Sequence, residues 1–291
     1  MNPAPTDRKA ITISLPDGAT SEARLFGERG AANALLFLPA MGTPARVYDA
    51  FGRALAARGI ATLIGDLRGT GTSSVRARRG VDFSYATLLD DVEPFREALA
   101  SGLSPRTIHI GGHSLGGQIA ALHIATAREP PATLTVVAAG SSWFRAFPAR
   151  QSPGILLGTQ TGGVLARLLG WFPGDKVGFG GRQARSLITD WAALGRTGRV
   201  HAGGLDVDQR LQGADRPVLA VPVAGDKLAP ESSMAHLLSK MPRAAVTQHR
   251  VAAPRFPATL DPHFRWLRTP ELVADHIAAF MADGSSERFV A

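Results

Sequence analysis

The sequence contains no cysteine. Disulfide bonds, thiolate metal sites and cysteine nucleophiles are therefore excluded, and nothing points to an oxidising compartment. The eight histidines do not show the spacing of a metal site. We therefore expect a protein that works without a metal or another cofactor.

Long apolar runs are also missing. The longest apolar stretch, residues 155–172, is interrupted by four polar or charged residues, which argues against a membrane span. The first nine residues are polar and lack the apolar run of a signal peptide. These features predict a cytoplasmic protein.

Lysine is scarce, although the formal net charge is +8. Nearly all the positive charge is arginine, scattered along the chain apart from one small cluster at Arg76, Arg78 and Arg79. No nucleic-acid-binding motif or basic-aromatic stripe accompanies it, so we expect no nucleic-acid partner. A basic surface would still attract anionic substrates or membrane surfaces over long range.

Strand and helix patterns alternate along most of the chain. Short continuous apolar runs are typical of strands buried in a parallel sheet, and apolar residues three or four positions apart indicate helices. The predicted strands are 10–15, 23–26, 34–38, 60–64, 107–110, 134–139, 218–223 and 246–251. The predicted helical stripes are 47–55, 88–99, 115–128, 231–240 and 270–281. This alternation predicts an α/β fold, with a mostly parallel sheet and helices on both faces.

The alternation fails between residues 141 and 205. This segment holds three of the four tryptophans, many glycines and apolar helical patches. We interpret 1–140 and 206–291 as the core domain, and 141–205 as a mainly helical lid inserted over the carboxyl ends of the strands. Ligands bind at that edge in open α/β sheets.

A glycine-x-serine-x-glycine pattern, Gly112-His113-Ser114-Leu115-Gly116, joins a predicted strand to a predicted helix. Such a turn is sharp, and a side chain at either glycine would collide with the neighbouring backbone. The N–H of Leu115, at the helix start, can point at a developing oxyanion. The pattern therefore predicts Ser114 as a nucleophile.

This segment resembles the nucleophile elbow of the α/β-hydrolases, and the resemblance covers nearly the whole chain apart from details of the lid. It implies an esterase-like or lipase-like serine hydrolase whose serine, acid and histidine follow one another in that order.

The resemblance assigns the acid to Asp226. This residue follows the predicted strand 218–223, with a glycine before it and a proline four positions later. Asp206 and Asp208 are alternatives, but they precede that strand. A helix-start aspartate with a purely structural role is the other interpretation of Asp226.

The base is assigned to His263, because it lies between the last predicted strand and the last predicted helix. His249 falls within the strand, and His276 falls within the helix. Three further histidines are assigned to packing: His109, His113 and His123.

In the resulting scheme His263 takes the proton of Ser114, and Asp226 orients the imidazole. The N–H groups of Met41 and Leu115 form the oxyanion hole. Many relatives carry His-Gly where this chain has proline and alanine at 39 and 40, so the loop before Met41 departs from the family pattern.

A second motif, Asp66-x-Arg68-Gly69-x-Gly71-x-Ser73, also resembles the family. It follows the predicted strand 60–64. We expect it to shape the floor of the site and to take no part in catalysis.

The expected reaction is hydrolysis of a carboxylic ester with a small or medium apolar acyl group, through an acyl-enzyme. Thioester, amide and carbon–carbon bond hydrolysis stay open, because the fold does not choose among them. A slow ligand-binding receptor and a nucleic-acid-associated scaffold are the alternatives from other classes. The apolar residues of the lid either line a pocket or form the lid's own core. The expected partner is a small-molecule substrate, and the pattern indicates no oligomeric state.

Overall fold

A computed structural model describes residues 9–202 and 205–286. The described strands are β1 (Lys9–Ser14), β2 (Thr20–Phe26), β3 (Asn33–Leu38), β4 (Ile60–Gly65), β5 (Thr107–His113), β6 (Leu134–Val137), β7 (Trp171–Pro173), β8 (Arg182–Ala184), β9 (His201–Ala202), β10 (Leu205–Asp206), β11 (Val218–Val221) and β12 (Val246–Gln248). The described α-helices are α1 (Asp49–Ala56), α2 (Tyr85–Asp90), α3 (Val92–Leu103), α4 (Leu115–Thr126), α5 (Ser152–Leu169), α6 (Gly174–Val177), α7 (Arg185–Thr197), α8 (Val207–Leu211), α9 (Glu231–Leu238), α10 (Pro262–Arg265) and α11 (Glu271–Ser286). Short 3-10 turns cover Ala45–Tyr48, Phe144–Ala146 and Trp266–Arg268.

Eight strands form one sheet in the order β1-β2-β4-β3-β5-β6-β11-β12. The pairs β1–β2 and β2–β4 are antiparallel, and every later neighbour pair is parallel. Helices cover both faces, so the predicted fold class is confirmed.

The central strands explain why the sequence shows continuous apolar runs. In β3, Leu36 and Leu38 belong to one hydrophobic core, while Leu35 and Phe37 belong to the core on the other face. Successive side chains of a strand point to opposite faces, so a strand covered on both sides must be apolar at every position.

Two helical predictions differ from the structure. The predicted stripe 88–99 is broken into α2 and α3 at Asp91, whose buried carboxylate accepts hydrogen bonds from Arg68. Val47 was predicted on the buried face of a helix, but it lies in a 3-10 turn and is 44% exposed. The first break has a local cause that the periodicity did not capture: Pro94, the third residue of α3, has no N–H to donate to the Asp90 carbonyl.

The described part of the predicted insertion, residues 141–202, lies between β6 and β11 in the chain. Helix α5 packs against α7, and β7 pairs with β8. Ala166, Phe172 and Ile188 form a small hydrophobic cluster of their own, whereas Leu187 and Leu194 of α7 join the main core. Two residues of the predicted lid, 203 and 204, lie outside the described residues, as do residues 1–8 at the predicted polar N-terminus.

Among the described helices, none combines the length and the apolar character that crossing a bilayer requires.

Candidate active site

Ser114 lies at the sharp turn between β5 and α4. Its backbone has φ 55° and ψ −119°, a conformation that is strained for any residue with a Cβ. A Cβ at Gly112 would lie 2.2 Å from the carbonyl carbon of Gly116, and one at Gly116 would lie 2.0 Å from the oxygen of Leu38. Both glycines are therefore required by the close approach of the helix to β3 and β5.

Asp226 and His263 form a buried pair. His263 Nδ1 lies 2.8 Å from Asp226 Oδ2. The other carboxylate oxygen accepts the backbone N–H groups of Leu228 and Ala229, at 2.8 and 2.9 Å. These bonds fix the carboxylate, and the carboxylate in turn fixes the imidazole ring.

His263 was predicted in a loop, but it lies in the four-residue helix α10. Asp261 caps this helix by accepting the His263 N–H at 2.9 Å, and Pro262 occupies the first helical position. Aspartate followed by proline is a helix-start pattern, so the sequence carried the signal for this turn.

A cavity of about 640 Å³ brings the two parts of the site together. Ser114 and His263 both line it, with Met41 and Leu115 beside them. Its other walls are mainly apolar side chains from the 141–202 segment. The described contacts include no hydrogen bond between Ser114 Oγ and His263, and such bonds are often long in unliganded hydrolytic sites.

The family model for serine aminopeptidase, S33, matches residues 30–172, which include the Ser114 turn. The chain belongs to the α/β-hydrolase superfamily. Among solved structures it is similar to DcsB in complex with its substrate analogue, with a TM-score of 0.67 and 15% identity over 96% of this chain and 99% of that one. No curated protein sequence matches it.

Two esterase structures show the same likeness. A thermophilic esterase from Thermogutta terrifontis, with malate bound, has a TM-score of 0.60 and 19% identity over 96% of this chain and 99% of that one. Est1E from Butyrivibrio proteoclasticus, with ferulic acid bound, has a TM-score of 0.63 and 17% identity over 95% and 99%. At these identities the likeness extends to the fold.

Two residues that line the cavity, Met41 and Leu115, have backbone N–H groups without a partner within the described residues. The neighbouring Ala40 N–H, in contrast, donates to the hydroxyl of Tyr48 at 2.9 Å.

Tyr48 links this loop to the Ser114 turn, a contact that sequence reasoning missed. Its hydroxyl lies 2.8 Å from His113 Nδ1. Because the hydroxyl oxygen accepts the Ala40 N–H, its own proton is available for His113. Burial lowers the pKa of His113 well below its usual range, with the charge of neighbouring His263 acting in the same direction, so the ring is neutral and can accept that proton. Tyr48 and His113 are distant in sequence, and no local pattern joins them.

Asp66, in the second motif, connects two loops through its carboxylate; none of the motif's residues lines the cavity, and its role in shaping the floor of the site stays a prediction. Its carboxylate accepts the Ala45 N–H at 2.6 Å and both the N–H and the hydroxyl of Thr72 at 2.8 Å. A Cβ at Gly71, where φ is +56°, would lie 2.2 Å from that carboxylate. Asp66 therefore ties the turn after the Met41 loop to the loop after β4.

The alternative acids have structural roles of their own. Asp206 caps α8 by accepting the Gln209 N–H, and Asp208 pairs with Lys240 at 2.7 Å. His249 and His276 stack on each other with ring centroids 4.4 Å apart. None of these four side chains lines the cavity, and the described residues include no cluster able to hold a metal ion.

Proposed function

We propose that the chain is a serine hydrolase that cleaves carboxylic esters through an acyl-enzyme, with Ser114, His263 and Asp226 as its triad. One observation carries the proposal: His263, held by the buried and hydrogen-bonded Asp226 carboxylate, lines the same apolar cavity as a serine in a strained turn. The hydrolase fold and the esterase-like structural relatives support the same reaction class.

The hydrogen bonds support the following roles. With its Nδ1–H donated to Asp226, neutral His263 has Nε2 free to accept the Ser114 proton as Oγ attacks the ester carbonyl. The N–H groups of Met41 and Leu115 stabilise the tetrahedral oxyanion. His263 then protonates the leaving alcohol, and water, activated by the same imidazole, hydrolyses the acyl-enzyme.

The cavity favours an apolar acyl group. Phe172, Ile188 and Trp191 line it from the 141–202 segment, which we propose acts as a lid. Phe172 and Ile188 also belong to that segment's own cluster, so the same side chains stabilise the lid and shape the pocket.

Fluorophosphonate labelling of the intact protein, with mapping of the modified residue, tests the proposal directly. We expect a single label on Ser114, and measurable turnover on a panel of acyl esters from acetyl to dodecanoyl. A label on another serine, or no label in a folded protein, would overturn it.

Tyr48→Phe is expected to lower kcat about 10- to 100-fold while changing KM for a short ester little. The substitution leaves the Ala40 N–H without its acceptor, next to the proposed Met41 donor, and it leaves His113 without its partner. Each unsatisfied buried group costs about 1–3 kcal/mol. Steady-state kinetics and thermal unfolding measure the two effects separately. An unchanged kcat, with only a lower melting temperature, would limit Tyr48 to stability.

Gly162→Leu is expected to shift the preference toward shorter acyl chains. A Cβ at this position meets Phe172 and Ile188 at 3.6 and 3.8 Å, which is ordinary contact, and Gly162 lines the cavity. We expect kcat/KM for long acyl esters to fall roughly 10-fold relative to acetyl esters. Val164→Leu, on the exposed side of the same helix, is the control and should leave the profile unchanged. An unaltered profile in Gly162→Leu would place the acyl chain elsewhere.

A further inference from the structure

The opening of the cavity is surrounded by exposed apolar side chains. Leu157, Val177 and Leu228 line the cavity and are also 70%, 58% and 41% exposed. A residue that meets both conditions lies where the cavity meets solvent. Large apolar side chains at such a rim are a feature of binding surfaces.

Helix α5 extends this apolar surface away from the opening. Leu157, Val164 and Leu168 are spaced seven and four positions apart, which places them on one helix face, and they are 70%, 53% and 70% exposed. The opposite face of α5 carries the buried residues, which pack against the rest of the protein: Thr159, Gly162, Gly163 and Ala166. The outer stripe therefore has no partner within the described residues.

The net positive charge of the chain is highest in the same segment, because acidic residues are few there. Residues 141–202 contain eight arginines and lysines but only two acidic residues, a formal net charge of +6 out of +8 for the whole chain. One of the two acids, Asp190, points inward and accepts the Tyr85 N–H. Arg185 and Arg199 pair with acidic residues outside the segment, and the other basic residues still leave it with a positive surplus.

Four exposed basic residues accompany the apolar ones. Lys176 precedes Val177, Lys227 precedes Leu228, Arg167 precedes Leu168, and Arg150 lies just before α5. Within the described residues none of the four forms an ion pair. We call the nine residues together the mouth face: Arg150, Leu157, Val164, Arg167, Leu168, Lys176, Val177, Lys227 and Leu228.

We propose that the mouth face docks on the surface of an anionic phospholipid bilayer, with the cavity opening turned toward the lipid. Exposed leucines and valines insert among the acyl chains near the headgroups, while the basic residues bind lipid phosphates, as in interfacial amphipathic helices. Apolar acyl substrates then enter from the lipid. That last step rests on the proposed ester hydrolysis, whereas docking itself does not.

Charge and geometry favour lipid over a protein occupant. A second copy of the chain would bring the same four unpaired basic residues against themselves, so like charges would oppose pairing. A protein seated on the mouth face would also close the opening through which substrate must pass. A lipid surface leaves the opening in contact with a reservoir of apolar molecules.

Vesicle sedimentation with full-length Ser114→Ala protein tests docking without hydrolysis. We expect binding to phosphatidylcholine vesicles that contain phosphatidylglycerol, and at least about tenfold weaker binding to phosphatidylcholine alone, since each basic residue near an anionic surface contributes about fivefold. Binding should weaken as salt rises.

Two charge-reversal pairs of equal net change identify the face. Arg167→Glu with Lys176→Glu should weaken vesicle binding about tenfold or more. Arg106→Glu with Arg243→Glu should weaken vesicle binding less than about threefold. These exposed residues precede β5 and β12, at the amino-terminal ends of the strands and away from the carboxyl-terminal end of β5 that carries Ser114. With Ser114 restored, both pairs should hydrolyse a water-soluble short ester at the wild-type rate. Leu157→Ser with Leu168→Ser should also reduce vesicle binding, although the charge is retained.

Three results would overturn the proposal. They are no binding to phosphatidylglycerol vesicles at low salt, equal loss in both charge-reversal pairs, and a dimer in solution that Leu168→Ser dissociates. Failure of Ser114 labelling would overturn the proposed reaction but would leave the vesicle result standing, so the two proposals fail separately.

Discussion

Ser114→Ala is expected to reduce turnover by about 10³-fold or more and to abolish fluorophosphonate labelling. Alanine keeps the Cβ and removes only the oxygen that attacks the carbonyl. The backbone strain at φ 55° is the same for both residues, so the fold and the turn should survive. Labelling by mass spectrometry, ester turnover and circular dichroism of the purified variant measure the three expectations.

Ser142→Ala is a matched control for this result. Ser142 lines the same cavity, but its hydroxyl donates to the Trp191 carbonyl oxygen at 3.3 Å. It belongs to no nucleophile turn, and its loss should change turnover by no more than a few-fold. If Ser114→Ala still takes the label while Ser142→Ala does not, the nucleophile has been assigned to the wrong serine.

The sheet was predictable because its signal is local. Continuous apolar runs such as those of β3 and β4 follow from burial on both faces, and the glycines around Ser114 follow from close backbone approach. Each constraint leaves its mark on a few consecutive residues, even where the contact behind it is distant in sequence, as between Gly116 and Leu38. This is why the positions of the strands along the chain, and of the turn that carries Ser114, were predicted within a few residues.

The long-range polar contacts were not predictable. The buried pair of Arg68 with Asp91 joins residues 23 positions apart, and the link between the Met41 loop and the Ser114 turn depends on Tyr48 meeting His113. These pairs form only after the sheet has brought distant segments together. Once buried, each polar group needs a hydrogen-bond partner, so only a few pairings of distant residues are possible.

The sequence also left open whether the apolar residues of 141–205 form a core or a pocket. Phe172 and Ile188 do both, since they pack with Ala166 and also line the cavity. Composition gives the number of apolar side chains available, but not which faces of α5 and α7 meet. Small residues determine which faces of the two helices can pack closely: a Cβ at Gly163 would lie 2.9 Å from the Ala192 side chain.

His263→Ala is expected to be as damaging as Ser114→Ala, and the two losses should not add. If Ser114 and His263 act as one unit, removal of either already disables proton-coupled attack. The Ser114→Ala, His263→Ala double variant should therefore be no slower than the worse single variant. Turnover of one ester by all three proteins, each checked for folding by circular dichroism, gives the comparison. Losses that multiply would mean that the two residues act independently.

Asp226→Asn should cost at most as much as His263→Ala. Asparagine can still hold the ring through a hydrogen bond, but its amide favours the wrong imidazole tautomer, while Ser114 and His263 both remain. The matched controls are His249→Ala and His276→Ala, which remove a stacked histidine pair that does not line the cavity. Each should leave turnover within a few-fold of wild type. If His276→Ala eliminated turnover in a folded protein while His263→Ala did not, the base would be His276, and the buried Asp226–His263 pair would serve only to fasten α10 to the loop after β11.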